Sequence, residues 1–244
     1  MDLPGRVKLA IHALAARVGL KVSKVAPATD DGAALASMLA ERRIDLVLDV
    51  GANVGQYALS LLDRGYGGRI VSFEPLAGPH NVLVAASRHH PGWVVAERCA
   101  IGEREGEIEI HISENSIASS PLAATSALLR SSPDARYVAS ERAPLHTLDG
   151  AAKRWLSESI TPFLKIDVQG YEEQVLKGAA ATLPLLAGIQ IEMSLVRLYE
   201  GQMLMTEMLR EIETSGFVLH RLMPSFIDVR DGRWLQADGL FFRE

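Results

Sequence analysis

The sequence predicts an α/β fold: a mostly parallel sheet of seven strands, the last one antiparallel, with helices on both faces. Three observations carry this reading. From Leu35 onward, short apolar runs alternate with helical patterns, as successive β-α-β units require. The run Asp45-Leu-Val-Leu-Asp49-Val-Gly51-Ala-Asn53-Val-Gly55-Gln56 takes a buried strand into a glycine-punctuated turn. Glu74 follows at the end of the next strand, in Ile-Val-Ser-Phe-Glu-Pro, where an acidic side chain can accept both hydrogen bonds of a ribose diol.

The elements follow in chain order. Residues 1–33 are expected to form an amphipathic helix and a connector, and residues 34–244 the main domain. Lys8 and Arg17 bracket an apolar segment too short to span a bilayer. Helical spacing puts Val7, Ile11, Leu14 and Val18 on one stripe, expected to dock on the domain or on a partner subunit. The need to bury that stripe favours a homodimer, while a peripheral membrane contact through the same helix would suit a lipid-linked ligand. Ala26 to Gly32, with Pro27, Asp30 and Asp31, reads as the connector.

Strands are expected at about 45–50, 69–74, 93–100, 163–168, 188–193, 217–222 and 239–243, and helices at about 35–42, 56–63, 78–88, 172–177 and 204–215. Gly106 to Ser113 alternates Glu107, Glu109 and His111 with isoleucines and reads as an extra, half-exposed strand. Leu204, Met208, Leu209 and Ile212 lie near one helix face, where methionine is core filling, and Gly216 ends that helix. Gly232 turns the chain into a closing antiparallel hairpin.

Composition bounds the function. With 244 residues, 48% hydrophobic and 23% charged, the chain fills one sizeable domain with a core on both faces of a sheet. A net charge of -5 argues against nucleic acid as a partner, because phosphate binding needs a basic excess or stripe. The single cysteine, Cys99, forms no intrachain disulfide and suits a reducing cytoplasm.

The glycine turn narrows the ligand. A dinucleotide fingerprint reads G-x-G-x-x-G, but Asn53 and Gln56 occupy its second and third glycine positions, so a pyrophosphate has little room and a nicotinamide cofactor is the weaker reading. S-adenosylmethionine has a ribose diol, a charged amino acid tail and no phosphate. Asp49 and the Gly51 turn would face the tail, Glu74 would take the diol, Pro75 would stop the strand, and Gly55 would let the next helix pack closely.

The motifs Leu-Asp-Val-Gly-Ala-Asn-Val-Gly, Phe-Glu-Pro, Leu-Lys165-Ile-Asp167-Val-Gln-Gly170-Tyr-Glu172, Ile-Gln190-Ile-Glu192 and Leu-Gln236-Ala-Asp238-Gly239-Leu-Phe occur in order over residues 44–243. Together they resemble the FkbM-type methyltransferases. The resemblance implies a Rossmann-like class I methyltransferase fold and transfer of a methyl group from S-adenosylmethionine to oxygen, often on a sugar hydroxyl of a glycolipid, glycopeptide or polyketide. Residues 105–150 then read as an insertion on the acceptor side. The resemblance includes an asparagine and serines there, so Asn115, Ser119 and Ser120 are candidate ligand contacts, and Ala100 joins the cofactor set.

The strand-end carboxylates Asp49, Glu74, Asp167 and Glu192 are the groups to weigh for chemistry. Asp167 is the leading candidate base and also a candidate cofactor contact, with pairing to the sulfonium or capping of the next helix as its alternative roles. Glu192 is a second candidate that would otherwise pair with Lys165 or Arg197. His146 is the third, with His220 beside it. Asp167 and Glu192 together could hold a divalent cation, but no third ligand is evident and metal dependence is not favoured. Tyr199, Glu200, Gln202, Gln236 and Asp238 would line the acceptor site, Asp238 more as a support of the final hairpin. The rival readings are an N-methyltransferase, a methyltransferase of a non-sugar acceptor, and a silent cofactor-binding partner subunit.

Overall fold

The computed structural model describes residues 5–20, 22 and 30–244. The expected connector lies outside the described residues as far as residue 29, as does the side chain of Lys8. The chain runs α1 (Gly5–Arg17), α2 (Asp31–Glu41), β1 (Leu46–Val50), α3 (Gln56–Asp63), β2 (Arg69–Phe73), α4 (Ala77–Ser87), β3 (Trp93–Val95), β4 (Ala100–Ile101) and β5 (Gly106–Ser113). It continues through α5 (Ser126–Ser131), β6 (Tyr137–His146), α6 (Leu148–Ala152), β7 (Pro162–Ile166), α7 (Glu172–Lys177), β8 (Gly188–Ser194), α8 (Met205–Thr214), β9 (Val218–Ile227) and β10 (Trp234–Phe242).

Seven strands form one sheet in the order β3-β2-β1-β7-β8-β10-β9. The pairs from β3 to β8 are parallel, and β10 is antiparallel to both of its neighbours, which is the Rossmann-like class I arrangement. β1, β7 and β8 are buried at every position because helices cover both faces, so β1 and β7 are apolar but for Asp49 and Lys165, and the polar residues of β8 are buried as well. Successive β1 residues feed opposite cores. Leu46, Leu48 and Val50 pack with Val175 of α7 and Met208 and Ile212 of α8, while Val47 packs with Leu39 of α2 and Ala58 and Leu61 of α3. The strand order reverses between β1 and β7, and that switch point is where an open α/β sheet leaves a crevice at its carboxyl edge.

The structure departs from the sequence reading in three places. The run expected as one strand at 93–100 splits into β3, in the main sheet, and β4, which belongs to a second sheet ordered β4-β6-β5. β6 escaped detection because much of it faces solvent and its sequence, Tyr-Val-Ala-Ser-Glu-Arg-Ala-Pro-Leu-His, lacks a clean apolar alternation. The stripe Val7, Ile11, Leu14 and Val18 is exposed, so α1 does not dock on its own domain, one of the two placements expected for it.

Close backbone approach explains why certain glycines sit where they do. Gly51 has φ 79° and presses on the backbone carbonyl of Asp167, so the β1 turn and the end of β7 touch. Gly178, the C-cap of α7, has an ordinary φ of -77°, yet a β-carbon there would fall on the carbonyl of Gly102. Gly178→Ala is therefore expected to lower stability by about 3 kcal/mol through overpacking against an immobile backbone. Gly201→Ala, in open space at φ 75°, should cost only about 1 kcal/mol of backbone strain. Thermal unfolding of both variants measures the contrast.

Candidate functional site

At the carboxyl edge, the turns after β1 and β2 face the turn after β7, and the second sheet closes the opening from the side. The result is a pocket of about 740 Å³, open solvent at its mouth included, at the place where open α/β sheets take small molecules. Its chemistry is graded. One end is apolar, lined by Leu76, Ala100, Ile101, Ile108, Ile110 and Ile117. Glu74 stands in the lining, and the other end carries Gly51, Asn53, Gln56, Asp167 and Gln169.

Glu74 is almost fully buried, its Oε2 accepting from the Asn53 amide at 2.8 Å and its Oε1 from the Leu76 amide at 2.9 Å. Burial pushes its carboxyl up to about 7, against the two amide hydrogen bonds that pull it down. Each oxygen still has an unused lone pair, so the group can accept further donors from a ligand in the cavity.

Asp49 does not line this cavity. It is fully buried beneath the Gly51 turn, accepts from the Ser72 hydroxyl at 2.9 Å, and lies 3.2 Å from Lys165 Nζ. The expectation that Asp49 meets the ligand's tail is corrected: its carboxylate is taken up by the protein. Lys165 also donates to the Gly51 carbonyl at 3.0 Å and lies 3.7 Å from Asp167 Oδ2. Burial works to lower the lysine's pKa, but the carboxylates of Asp49 and Asp167 overrule it and hold the ammonium above its usual range. Its partner is thus Asp49, not Glu192 as the sequence left open.

Glu192 joins a different network, centred on Gln169. The Gln169 amide nitrogen donates to Asp167 Oδ1 at 2.8 Å and to Glu192 Oε2 at 3.1 Å, while its amide oxygen accepts from the Tyr199 hydroxyl at 2.8 Å. Gln236 donates to the same Glu192 oxygen at 2.6 Å, and the Ser120 hydroxyl donates to the Gln169 carbonyl at 2.6 Å. Gln169 adopts φ 55°, a left-handed conformation that these contacts hold in place. Burial, and then the nearby Asp167 and Asp238, raise the Glu192 carboxyl well above the ordinary range. Because the Gln169 NH2 group stands between Asp167 and Glu192, it occupies the bridging place a divalent cation would need. No group of three or more potential metal ligands occurs among the described residues.

The remaining candidates fall into place around this frame. Gly51, Asn53, Pro75, Ala100 and Ser119 line the cavity, as does Asp167, which does not cap α7. Gly55 packs instead against Trp93 and Leu83, the close helix packing expected of it. Asn115 is corrected to a loop brace: its side-chain oxygen accepts from the Ser113 hydroxyl and the Ala118 amide. Ser120, Tyr199 and Gln236 are buried supports of Gln169 and Glu192 rather than substrate contacts. Gln202 likewise braces the Leu198 and Tyr199 amides. His146 is displaced from the site, pairing with Glu105 at 2.5 Å on the surface and lining a separate depression. His220 bonds the Val218 carbonyl and lies against Arg42 and Phe242.

Sequence reasoning offered Lys165 only as a possible partner of Glu192 and gave no role to Gln169 or to the isoleucines of the apolar end. A signal existed for Lys165, because a lysine inside a fully apolar strand must find a buried counter-charge. Lys165→Met is expected to cost about 3–5 kcal/mol by leaving the Asp49 carboxylate buried and unpaired. Adding Asp49→Asn should recover most of that loss, and urea unfolding of the single and double variants checks it.

Similarity to known proteins accords with this geometry. The family model of the methyltransferase FkbM domain matches residues 49–219. No curated protein matches the chain. Among solved structures, the chain is similar to fibrillarin of Aeropyrum pernix in complex with natively bound S-adenosyl-L-methionine, at 12% identity, 96% coverage of this chain and 74% of that one, and a TM-score of 0.46. It is also similar to TehB of Haemophilus influenzae, at 11% identity, 88% and 62% coverage, and a TM-score of 0.48. With the family match running from the end of β1 into β9, the chain belongs to the FkbM family of S-adenosylmethionine-dependent methyltransferases.

Proposed function

We propose that the protein methylates a hydroxyl of a sugar or glycosylated metabolite, with Asp167 as the base that takes the hydroxyl proton. The observation that carries this reading is the place and state of Asp167. It lies at the polar end of the cavity, its side chain 36% exposed, with Oδ1 held by Gln169 and Oδ2 accepting no hydrogen bond among the described residues. When bound, S-adenosylmethionine supplies a methyl carbon activated by a positively charged sulfur.

What the protein adds is alignment and proton removal. The graded cavity sets the direction of binding. Leu76, Ala100, Ile101, Ile108 and Ile110 suit the adenine, Glu74 suits the ribose diol, and the Gly51 turn with Gln56 suits the amino acid tail. That orientation brings the reactive centre to the end where Asp167 stands. Gln169 bonds Oδ1 and the Lys165 ammonium lies 3.7 Å from Oδ2, so the carboxylate is held in place while Oδ2 keeps lone pairs for an incoming hydroxyl. Glu192 is less suited as the base because it is buried, its carboxyl is raised well above the ordinary range, and its Oε2 already accepts from two amide donors.

Two outcomes test these roles. Glu74→Ala should weaken S-adenosylmethionine binding by roughly tenfold or more, since each hydrogen bond to a carboxylate contributes about 1.5–3 kcal/mol. Glu74 must lose its proton to accept both hydroxyls, and its folded-state value is raised to about 7. Affinity in the native protein should therefore decline as pH falls below about 7, and Glu74→Gln should flatten that slope. Titration calorimetry across the pH range measures both effects.

Asp167→Asn should leave cofactor affinity intact and lower turnover by about 10²-fold or more. Glu192→Gln, which mimics a protonated carboxyl, should stay near the native rate. Product analysis by mass spectrometry after incubation with under-methylated glycolipids and glycosides reads both variants. Equal loss in the two would remove the distinction between the carboxylates, and methylation at nitrogen would overturn the hydroxyl assignment.

A further inference from the structure

A second cleft opens on the far side of Asp167. It lies open between α3 and strands β7, β8 and β10, and apart from Ile166 its lining is polar: Tyr57, Ser60, Lys165, Gln190 and Asp238, together with Gln56 and Asp167. Those last two residues also line the cofactor cavity, so the two spaces meet at its polar end. We propose that this cleft is the acceptor subsite, and that it takes a neutral or aminated sugar in preference to a phosphorylated or carboxylated one. The inference rests on Asp167 marking the reactive end.

The donors and acceptors along the cleft are arranged for hydroxyl groups. The Tyr57 hydroxyl donates to Gln190 Oε1 at 3.1 Å, and Gln190 Nε2 reaches Asp238 Oδ2 only at 3.4 Å. That long contact is the one hydrogen bond Asp238 accepts among the described residues, although the carboxylate is half-buried. A half-buried carboxylate with so little satisfaction can be completed by donors from a ligand, and adjacent sugar hydroxyls or an ammonium group supply them. Ser60 and Gln56 add further hydrogen-bonding groups on the α3 wall.

Charge decides between sugar classes. Asp167 and Asp238 both face the cleft, and the one cation there, Lys165, has its ammonium bound to the Gly51 carbonyl and beside Asp49. A phosphate or carboxylate on the acceptor would meet two carboxylates without a free counter-charge, and repulsion at short range in a partly buried site is costly. A neutral ring avoids that repulsion, and a protonated amino group is attracted by the same two carboxylates.

Saturation-transfer NMR on the protein loaded with S-adenosylhomocysteine tests the subsite without requiring turnover. The probes are the methyl glycosides of glucose, mannose, galactose and rhamnose, with glucosamine, glucose 6-phosphate and glucuronate. At least one uncharged or aminated sugar is expected to bind, and its signal should fall fivefold or more in Asp238→Asn and in Gln190→Ala, with S-adenosylhomocysteine affinity within twofold of native. Two variants keep the test open if one misfolds. Stronger binding of glucose 6-phosphate or glucuronate, undiminished binding in both variants, or no binding by any probe would each overturn the proposal. Calorimetry with S-adenosylhomocysteine alone reports separately on the cofactor cavity, so a failed acceptor subsite is distinguishable from a failed methyltransferase reading.

Discussion

The buried ammonium of Lys165 ties together the two strand ends on which the site is built. Asp49 and Lys165 are register partners on β1 and β7, the pair of strands where the sheet order reverses. One charge therefore does three things at the switch point. It neutralises Asp49 in a place with no solvent, it holds the carbonyl of Gly51 and so the shape of the turn, and it stands beside Asp167. A buried pair of this kind adds little net stability over a well-packed apolar pair, but removing either partner is costly, so it specifies a geometry more than it strengthens the fold.

Around this pair the protein places its carboxylates in distinct electrostatic settings. Glu74 is buried and raised to about 7, yet sits in the cavity with free lone pairs. Glu192 is also buried, its carboxyl is raised well above the ordinary range by burial and by Asp167 and Asp238, and its Oε2 is taken by the amides of Gln169 and Gln236. Asp167 alone is part-exposed with one oxygen unengaged by hydrogen bonds. Three acidic side chains at neighbouring strand ends thus suit different tasks, because burial and hydrogen-bond occupancy differ from one to the next.

The region between β4 and α6 converts an open crevice into a cavity. β5 supplies Ile108 and Ile110 to the apolar wall, and the loop after it supplies Ile117 and Ser119. The same loop is anchored to the post-β8 segment, where Ala118 and Leu128 pack with Leu198 and Tyr199. Tyr199 then links that anchor to Gln169, so the acceptor-side wall and the orientation of Asp167 rest on one contiguous set of contacts.

The sequence by itself determined the sheet, its closing hairpin and the ligand-facing turn. Buried parallel strands are mostly apolar, and a strand-to-helix turn at a ligand favours glycine, so both leave a local trace. Gly51, Asn53, Glu74 and Asp167 were legible for that reason, and Gln56–Asp63 and Glu172–Lys177 were placed to the residue. Only the tertiary structure decided which polar residues meet the ligand and which support those that do. Asp49 and Tyr199 have the residue types of a binding site, yet one is spent on Lys165 and the other on Gln169. His146 has the chemistry of a base and lies on another surface. Local sequence records whether a position is buried and how the backbone turns. The partner of a buried polar side chain comes from a distant strand or loop, and it is that long-range pairing, as between Gln169 and Tyr199 or Asp49 and Lys165, that assigns the roles.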